Sequence, residues 1–154
     1  MIPKKIVDLL VANGQIPRAV GRDKVMETLQ LLGIGSDSEF GEFYQEYDPS
    51  LLSSDVSYEQ LEDAVEAVVD GQSLDNVKPE ESPLYVGSQF IWETWGLPKD
   101  FIALTSLEGE GGYIYSASDE KVYDIDSAEA GSLAKGGKVA RWNSFYSFIE
   151  WYLS

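Results

Sequence analysis

The sequence of 154 residues contains neither cysteine nor histidine. Without cysteine the chain forms no disulfide and no thiolate metal site, so a reducing, cytoplasmic compartment is the expected location. Without histidine it lacks the commonest general base and the commonest neutral metal ligand of proteins. Because cysteine nucleophiles are excluded too, we expect a protein that is not an enzyme and that holds no cofactor and no metal.

Long apolar runs are also missing from the sequence. No segment approaches the roughly 20 apolar residues that a membrane-spanning helix needs. Near the N-terminus, Lys4 and Lys5 are followed by the apolar run Ile6–Leu10, which Asp8 interrupts. That run is too short for the apolar core of a signal peptide. We therefore expect neither a membrane partner nor secretion.

Basic residues are scarce, since 11 lysines and arginines stand against 27 acids and give a net charge of -16 at pH 7. A nucleic acid is not an expected partner, because phosphate binding relies on lysine and arginine to displace counterions. The acidic excess is concentrated in residues 36–80, where 13 acids accompany a single lysine. Such charge keeps small proteins apart in solution, and it also steers basic partners toward the chain. Composition alone leaves both interpretations open.

The length and an apolar content of 44% predict one domain over residues 1–154. Helical periodicity dominates the first part, about residues 1–71. The clearest helix starts at the capping box Ser57-x-x-Gln60 and ends at Gly71. The other helices predicted in this part run over about Pro3–Val11, Gly21–Leu32 and Asp37–Tyr47.

A connector over about residues 72–83 separates this part from a strand-bearing part over about residues 84–154. Alternating or β-branched runs predict strands over Phe101–Leu107, Gly112–Ser116 and Lys121–Asp126, joined by turns short enough for hairpins. A final helix follows Asn143 or Ser144 as its N-cap. The predicted fold class is α+β, a small antiparallel sheet with several helices packed on one side.

Two acidic groups are the candidate partner-binding surface. The first lies on the capped helix opposite its apolar face, and the second lies on the predicted sheet; their members are Glu59, Glu62, Asp63 and Glu66, and Asp119, Glu120, Asp124 and Asp126. Each group has a simpler interpretation as the solvated face of its element. The pair Asp124-x-Asp126 also has the spacing for a hard cation or for an acid/base pair. Tyr113 and Tyr115 are candidate anchors, because tyrosine is enriched at interface hot spots, or they belong to the core.

The order of several motifs in the second half resembles that of a known family. The motifs are Trp95-Gly96-Leu97-Pro98-x-Asp100-Phe101-Ile102, Ser106-Leu107-Glu108-Gly109-Glu110-Gly111, Tyr113-Ile114-Tyr115, Val122-Tyr123-Asp124, and Trp142-x-Ser144-Phe145-x-x-Phe148-Ile149-x-Trp151-Tyr152-Leu153. Together they are similar to the SUKH superfamily, the Smi1/Knr4-like domains, over roughly the last 70 residues. The first half agrees in its helical character but lacks the Leu-Pro and Asn-Gly-Gly elements usual near the second helix of that family.

The resemblance implies an immunity protein. Most bacterial members of the family guard a cell against polymorphic toxins or toxins of contact-dependent growth inhibition, often nucleases. A protein of this kind would bind its cognate, basic toxin stoichiometrically and occlude it through an acidic surface, as a monomer or weak dimer. The alternative is a non-catalytic regulatory or scaffold interaction module.

Overall fold

The computed structural model describes residues 2–15, 17, 22–47, 83–104 and 111–154. In this part of the chain, six α-helices, one short 3-10 helix and three strands follow one another: α1 Lys4–Ala12, α2 Arg22–Leu32, α3 Glu39–Glu46, α4 Pro83–Glu93, β1 Phe101–Ala103, β2 Gly111–Ser116, β3 Val122–Asp126, the 3-10 helix Ser127–Glu129, α5 Ala130–Ala134 and α6 Phe145–Leu153. This architecture confirms the predicted α+β class. The helix predicted from Ser57 lies outside the described residues. None of the described helices is both long and apolar enough to cross a membrane.

Local sequence signals set several of the helix ends. Gly33 ends α2 in the left-handed region with φ at +70°, which a glycine adopts at no steric cost. Ser144 begins α6, because its hydroxyl accepts a hydrogen bond from the Ser147 N–H at 3.2 Å. These ends agree with the sequence-based prediction, and Ser144 rather than Asn143 is the N-cap of the final helix.

The three strands form an antiparallel meander in the order β1-β2-β3. In the register of β2 with β3, Tyr113 lies opposite Asp124. Leu104 extends the pairing beyond β1, since its N–H donates to the Tyr113 carbonyl at 2.9 Å. The three predicted strands are therefore present, although residues 105–107 of the first lie outside the described part of the chain.

Helices cover both faces of the sheet, so the predicted one-sided packing is wrong. Ile102, Tyr115 and Val122 face a core shared with α1, α2, α3 and α6. The alternate strand positions, among them Ile114 and Ile125, face a second core that contains residues of α4 and α5. Successive strand residues point to opposite faces, and here both sets are apolar, as in a sheet buried on both sides.

Helix α4 was not predicted, and it lies beside β1. The Ser88 hydroxyl accepts a hydrogen bond from the Ala103 N–H at 3.1 Å, and Trp92 Nε1 donates to the Phe101 carbonyl at 2.7 Å. At the opposite edge of the sheet, the backbones of Val122 in β3 and of Trp142 exchange hydrogen bonds of 3.0 and 3.1 Å. The Ala103 N–H and the Phe101 carbonyl of β1, and the Val122 N–H and carbonyl of β3, therefore have partners outside the sheet.

An aromatic cluster joins α3 and α6 to the sheet. Phe145 of α6 packs against Phe40 and Phe43 of α3, with ring centroids 4.9 and 5.2 Å apart. The ring of Tyr115 in β2 lies 5.1 Å from that of Phe40. All four side chains are fully buried. This cluster fixes the position of Tyr115 beneath the surface considered next.

Candidate functional site

A cleft of about 250 Å³ lies between the loop that follows α2 and the turn that joins β2 to β3. We call it the acidic cleft; its lining residues are Ile34, Gly35, Asp37, Ser38, Tyr115, Ala117 and Glu120. It holds two carboxylates, and no lysine or arginine is among the described residues that line it. The sequence-based prediction had selected Glu120 and Tyr115 and had not selected Asp37.

The loop side of the acidic cleft is held by the N-terminus of α3. Ser38 caps this helix: its hydroxyl donates to the Gly35 carbonyl at 2.6 Å and accepts from the Gly41 N–H at 3.1 Å. Gly41 lies so close to the loop that a Cβ there would be 2.1 Å from the Gly35 oxygen. Only glycine therefore allows α3 to pack against this loop in the observed geometry.

The other side of the acidic cleft is the β2–β3 turn. Asp119 fixes the turn by accepting hydrogen bonds from the Lys121 N–H at 3.0 Å and from the Tyr123 hydroxyl at 2.9 Å. Glu120 has φ at +59°, a conformation uncommon for residues other than glycine. Asp119 thus serves the turn itself, whereas the exposed Glu120 borders the cleft.

Negative charge converges on the floor of the cleft, where Tyr115 is fully buried. Burial of its phenol, reinforced by the carboxylates of Glu120, Glu39 and Asp119, raises the pKa of Tyr115 to about 12, although the Ser38 hydroxyl opposes the shift. Two further tyrosines behave similarly. Burial and the hydrogen bond to Asp119 raise the pKa of Tyr123 to about 12, and burial and Glu42 raise the pKa of Tyr146 above its usual range.

These shifts predict a specific alkaline sensitivity. The unfolded chain releases the Tyr115 proton near pH 10, whereas the folded chain holds it to about pH 12. The contribution of this group to stability is therefore complete below about pH 10 and is lost as the pH rises through about 12. We expect the free energy of unfolding of Tyr115→Phe to fall less steeply across this window than that of the unchanged chain, as measured by denaturant titration. Parallel pH profiles would contradict the assignment, since Tyr123 and Tyr146 remain in both proteins.

A second surface feature combines Arg141 with two tryptophans, and we call it the arginine–tryptophan patch. The guanidinium carbon of Arg141 lies 4.5 Å from the ring centroid of Trp142 and 4.6 Å from that of Trp151. Its Nη1 also pairs with Asp124 Oδ2 at 2.5 Å. Tyr113 packs edge-on against both indoles. The structure therefore brings together Tyr113 and Asp124, which the sequence selected, with an arginine that it did not select.

The remaining candidates have structural roles or fall outside the described residues. Asp126 caps the 3-10 helix in a reciprocal capping box with Glu129, whose pKa is lowered by hydrogen bonds from Lys138 and from the Asp126 backbone. The cation alternative for Asp124 and Asp126 gains no support, since no group of three acidic side chains among the described residues is arranged to hold a metal ion. The first acidic group, Glu59, Glu62, Asp63 and Glu66, lies in the part that the structure does not describe.

Tyr115 and Tyr113 differ as anchors. Tyr115 is fully buried, so its ring belongs to the core and not to an exposed interface. Tyr113 is half-buried under the arginine–tryptophan patch, and Trp151, with 43% of its surface exposed, is the aromatic side chain that this patch presents to solvent.

In comparisons with known proteins, no family model, no curated protein and no solved structure matches this chain.

Proposed function

We propose that this chain is an immunity protein that binds a basic toxin domain, of the nuclease class, and neutralises it by stoichiometric occlusion. The observation that carries the proposal is the acidic cleft, whose two carboxylates form no ion pair with another described residue, in a chain with a net charge of -16. A toxin that acts on nucleic acid needs a basic surface. An acidic protein competes for that surface, and its field accelerates their association.

The distribution of ion pairs supports this proposal. Most described lysines and arginines neutralise acids away from the cleft, in the pairs Lys4–Asp8, Lys5–Glu150, Arg22–Glu46, Lys24–Glu27, Lys138–Glu129 and Arg141–Asp124. Asp37 and Glu120 take part in none of these pairs. The acidic cleft therefore keeps its negative charge. A cationic group that protrudes from a partner would be attracted to this concave surface. The resemblance to SUKH domains gives the same function independently.

The test is affinity capture from the source cells, followed by reconstitution. We expect one basic protein domain to be recovered at equal stoichiometry, to arrest growth when produced alone and to be harmless when co-produced with this chain. Its association rate should fall about tenfold or more between low and roughly 0.5 M salt, because steering between opposite charges is screened.

Charge variants locate the surface. A first variant, with Glu59→Gln, Glu62→Gln, Asp63→Asn and Glu66→Gln, tests the first acidic group. A control variant, with Asp8→Asn, Glu27→Gln, Glu93→Gln and Glu150→Gln, removes the same charge elsewhere. Slower association and weaker protection in the first variant alone would support that group as part of the interface. Recovery of only harmless cellular proteins would overturn the immunity function and favour a regulatory interaction module.

A further inference from the structure

The arginine–tryptophan patch is held in place from several directions. The guanidinium of Arg141 lies against the rings of Trp142 and Trp151, whose centroids are 4.9 Å apart. Its Nη1 pairs with Asp124. The backbone N–H groups of Arg141 and Trp142 both donate to the Val122 carbonyl at 3.1 Å, which fixes this segment to β3. Because Arg141 is already held in one position, a contact through it costs a partner less conformational entropy.

The loop before Arg141 brings an apolar side chain to the edge of this patch. Val139 is 90% exposed. Its Cα lies within about 7 Å of that of Arg141, because each residue advances the chain by at most ~3.6 Å. On one side of it Lys138 pairs with Glu129, and on the other Ala140 packs against the second core. Val139 thus adds little burial to the fold and is open to contact with another molecule. We call Val139, Arg141 and Trp151 together the docking surface.

The residue types of the docking surface are those of an interface centre. Tryptophan and arginine are among the residues that contribute most of the binding energy at protein interfaces. The side chain of Arg141 is 46% exposed, about as much as Trp151. A guanidinium carries five N–H donors, and only Nη1 of Arg141 has an acceptor among the described residues. The docking surface therefore presents apolar groups and further hydrogen-bond donors side by side.

The charges at the docking surface cancel locally. The positive charge of Arg141 is paired with Asp124. In the adjoining loop, the positive charge of Lys138 is paired with Glu129. Covering a charge that has no partner is costly, and here each charge already has its partner. The docking surface is therefore suited to close contact with another protein.

The net charge of the chain decides between the candidate occupants of this surface. A second copy of the chain brings another net charge of -16, and repulsion between like charges of this size keeps small proteins apart. A basic protein is attracted by the same field. The charges thus favour a basic protein over a second copy.

We propose that the docking surface is the centre of the interface with the basic protein partner. The partner places an apolar side chain against Trp151 and Val139 and a hydrogen-bond acceptor on Arg141. This inference rests on the proposed function and deepens it by locating the contact. The acidic excess then determines how fast the partner arrives, and the docking surface determines how long it stays.

The first test is photocrosslinking of the full chain in its source cells. The probe p-benzoylphenylalanine replaces Val139 in one protein and Val86 in the other. Val86 is the matched control, because it is an exposed valine on α4. We expect one protein with an excess of basic residues to be crosslinked from position 139 and not from position 86. Crosslinks to a second copy, to a protein without a basic excess or to nothing, or equal crosslinks from both positions, would overturn the inference.

The second test measures binding of the crosslinked protein, purified, to matched variants. Trp151→Ala is compared with Phe90→Ala, which removes an aromatic ring of similar exposure from α4, and Val139→Gln is compared with Val86→Gln. We expect Trp151→Ala to raise the Kd about 30-fold or more, as truncation of a hot spot does. Val139→Gln should raise it about fivefold, by loss of one apolar contact. Both effects should lie in the dissociation rate, and the α4 variants should bind as the unchanged chain does.

Arg141→Lys tests the guanidinium apart from its charge. Lysine keeps the positive charge but lacks the planar group that stacks on indoles and forks toward acceptors. We expect about tenfold weaker binding at an unchanged association rate. Native amide spectra show whether each variant is folded. Val139→Gln alters no packed side chain, so it decides the question if Trp151→Ala loosens α6.

The outcomes separate this inference from the proposed function. If the partner arrests growth and the chain protects against it, but variants of the docking surface bind no more weakly than the α4 controls, the inference is overturned and the immunity function stands. If those variants weaken binding of a basic partner that is harmless, the docking surface is supported and the immunity function is overturned.

Discussion

Replacement of Phe145 by alanine is expected to lower the free energy of unfolding by about 3–5 kcal/mol, the usual cost of deleting a buried aromatic ring. Phe145 is fully buried, and its ring lies 4.9 Å from that of Phe40 and 6.1 Å from that of Tyr115. Deletion opens a cavity where α3, α6 and the sheet meet. Denaturant unfolding followed by circular dichroism measures the loss.

Phe90→Ala is the matched control, because it deletes the same ring from the exposed side of α4. Phe90 is 46% exposed and contacts Trp95 with ring centroids 6.4 Å apart. We expect this variant to lose less than about 1 kcal/mol. Equal losses for the two variants would show that the aromatic cluster around Phe145 is not the main core of the domain.

The second large effect is expected from Gly41→Ala, which adds one methyl group to α3. The new Cβ would lie 2.1 Å from the Gly35 oxygen and 3.0 Å from Ser38 Oγ. Either the loop moves away or the cap of α3 is lost, and we expect a loss of about 2–4 kcal/mol. Unfolding curves in denaturant measure the loss.

Gly131→Ala provides the comparison for a glycine in open helical space. No atom lies within 4 Å of a Cβ built at Gly131. Replacing a helical glycine by alanine reduces the entropy of the unfolded chain, and we expect a gain of about 0.5–1 kcal/mol. A stable Gly41→Ala protein with an unchanged cleft would refute the close approach of α3 to the loop.

Local signals were sufficient for much of the fold. Gly33 and Ser144 act through their own backbone and side-chain chemistry, so the C-terminal end of α2 and the start of α6 could be predicted without tertiary information. The alternation in Val122–Asp126 likewise predicted β3, where the two aspartates are exposed and the other three residues are buried. Such features depend on neighbours in sequence, which a single chain displays directly.

Features that depend on tertiary contacts were missed. Helix α4 contains Gly87 and several aromatic or β-branched residues, which favour helices weakly. Its placement relies on Ser88 and Trp92, whose partners Ala103 and Phe101 come later in the chain. The second covered face of the sheet follows from the same helix, so the prediction of one-sided packing failed with it.

The residues of the candidate site likewise include some that the sequence indicates and others that only tertiary contacts bring together. Glu120 was selected because its charge is visible in the sequence, but Asp37 became part of the site only when the fold placed its loop beside the β2–β3 turn. Tyr113 and Tyr115 could not be distinguished by alternation, because residues two apart on a strand share a face, and both rings pack on the same core. Arg141 gave no signal, since its stacking on Trp151 joins residues from two separate segments.

The partners of the outer strands limit how this protein can associate. Open strand edges are the usual template for aggregation and for recognition by strand addition, in which a foreign chain extends a sheet. Here Ser88 engages the Ala103 N–H, Trp92 engages the Phe101 carbonyl, and Trp142 engages both backbone groups of Val122. Sheet extension is blocked at these positions, so a partner or a second copy of the chain that approaches them has to bind through side chains.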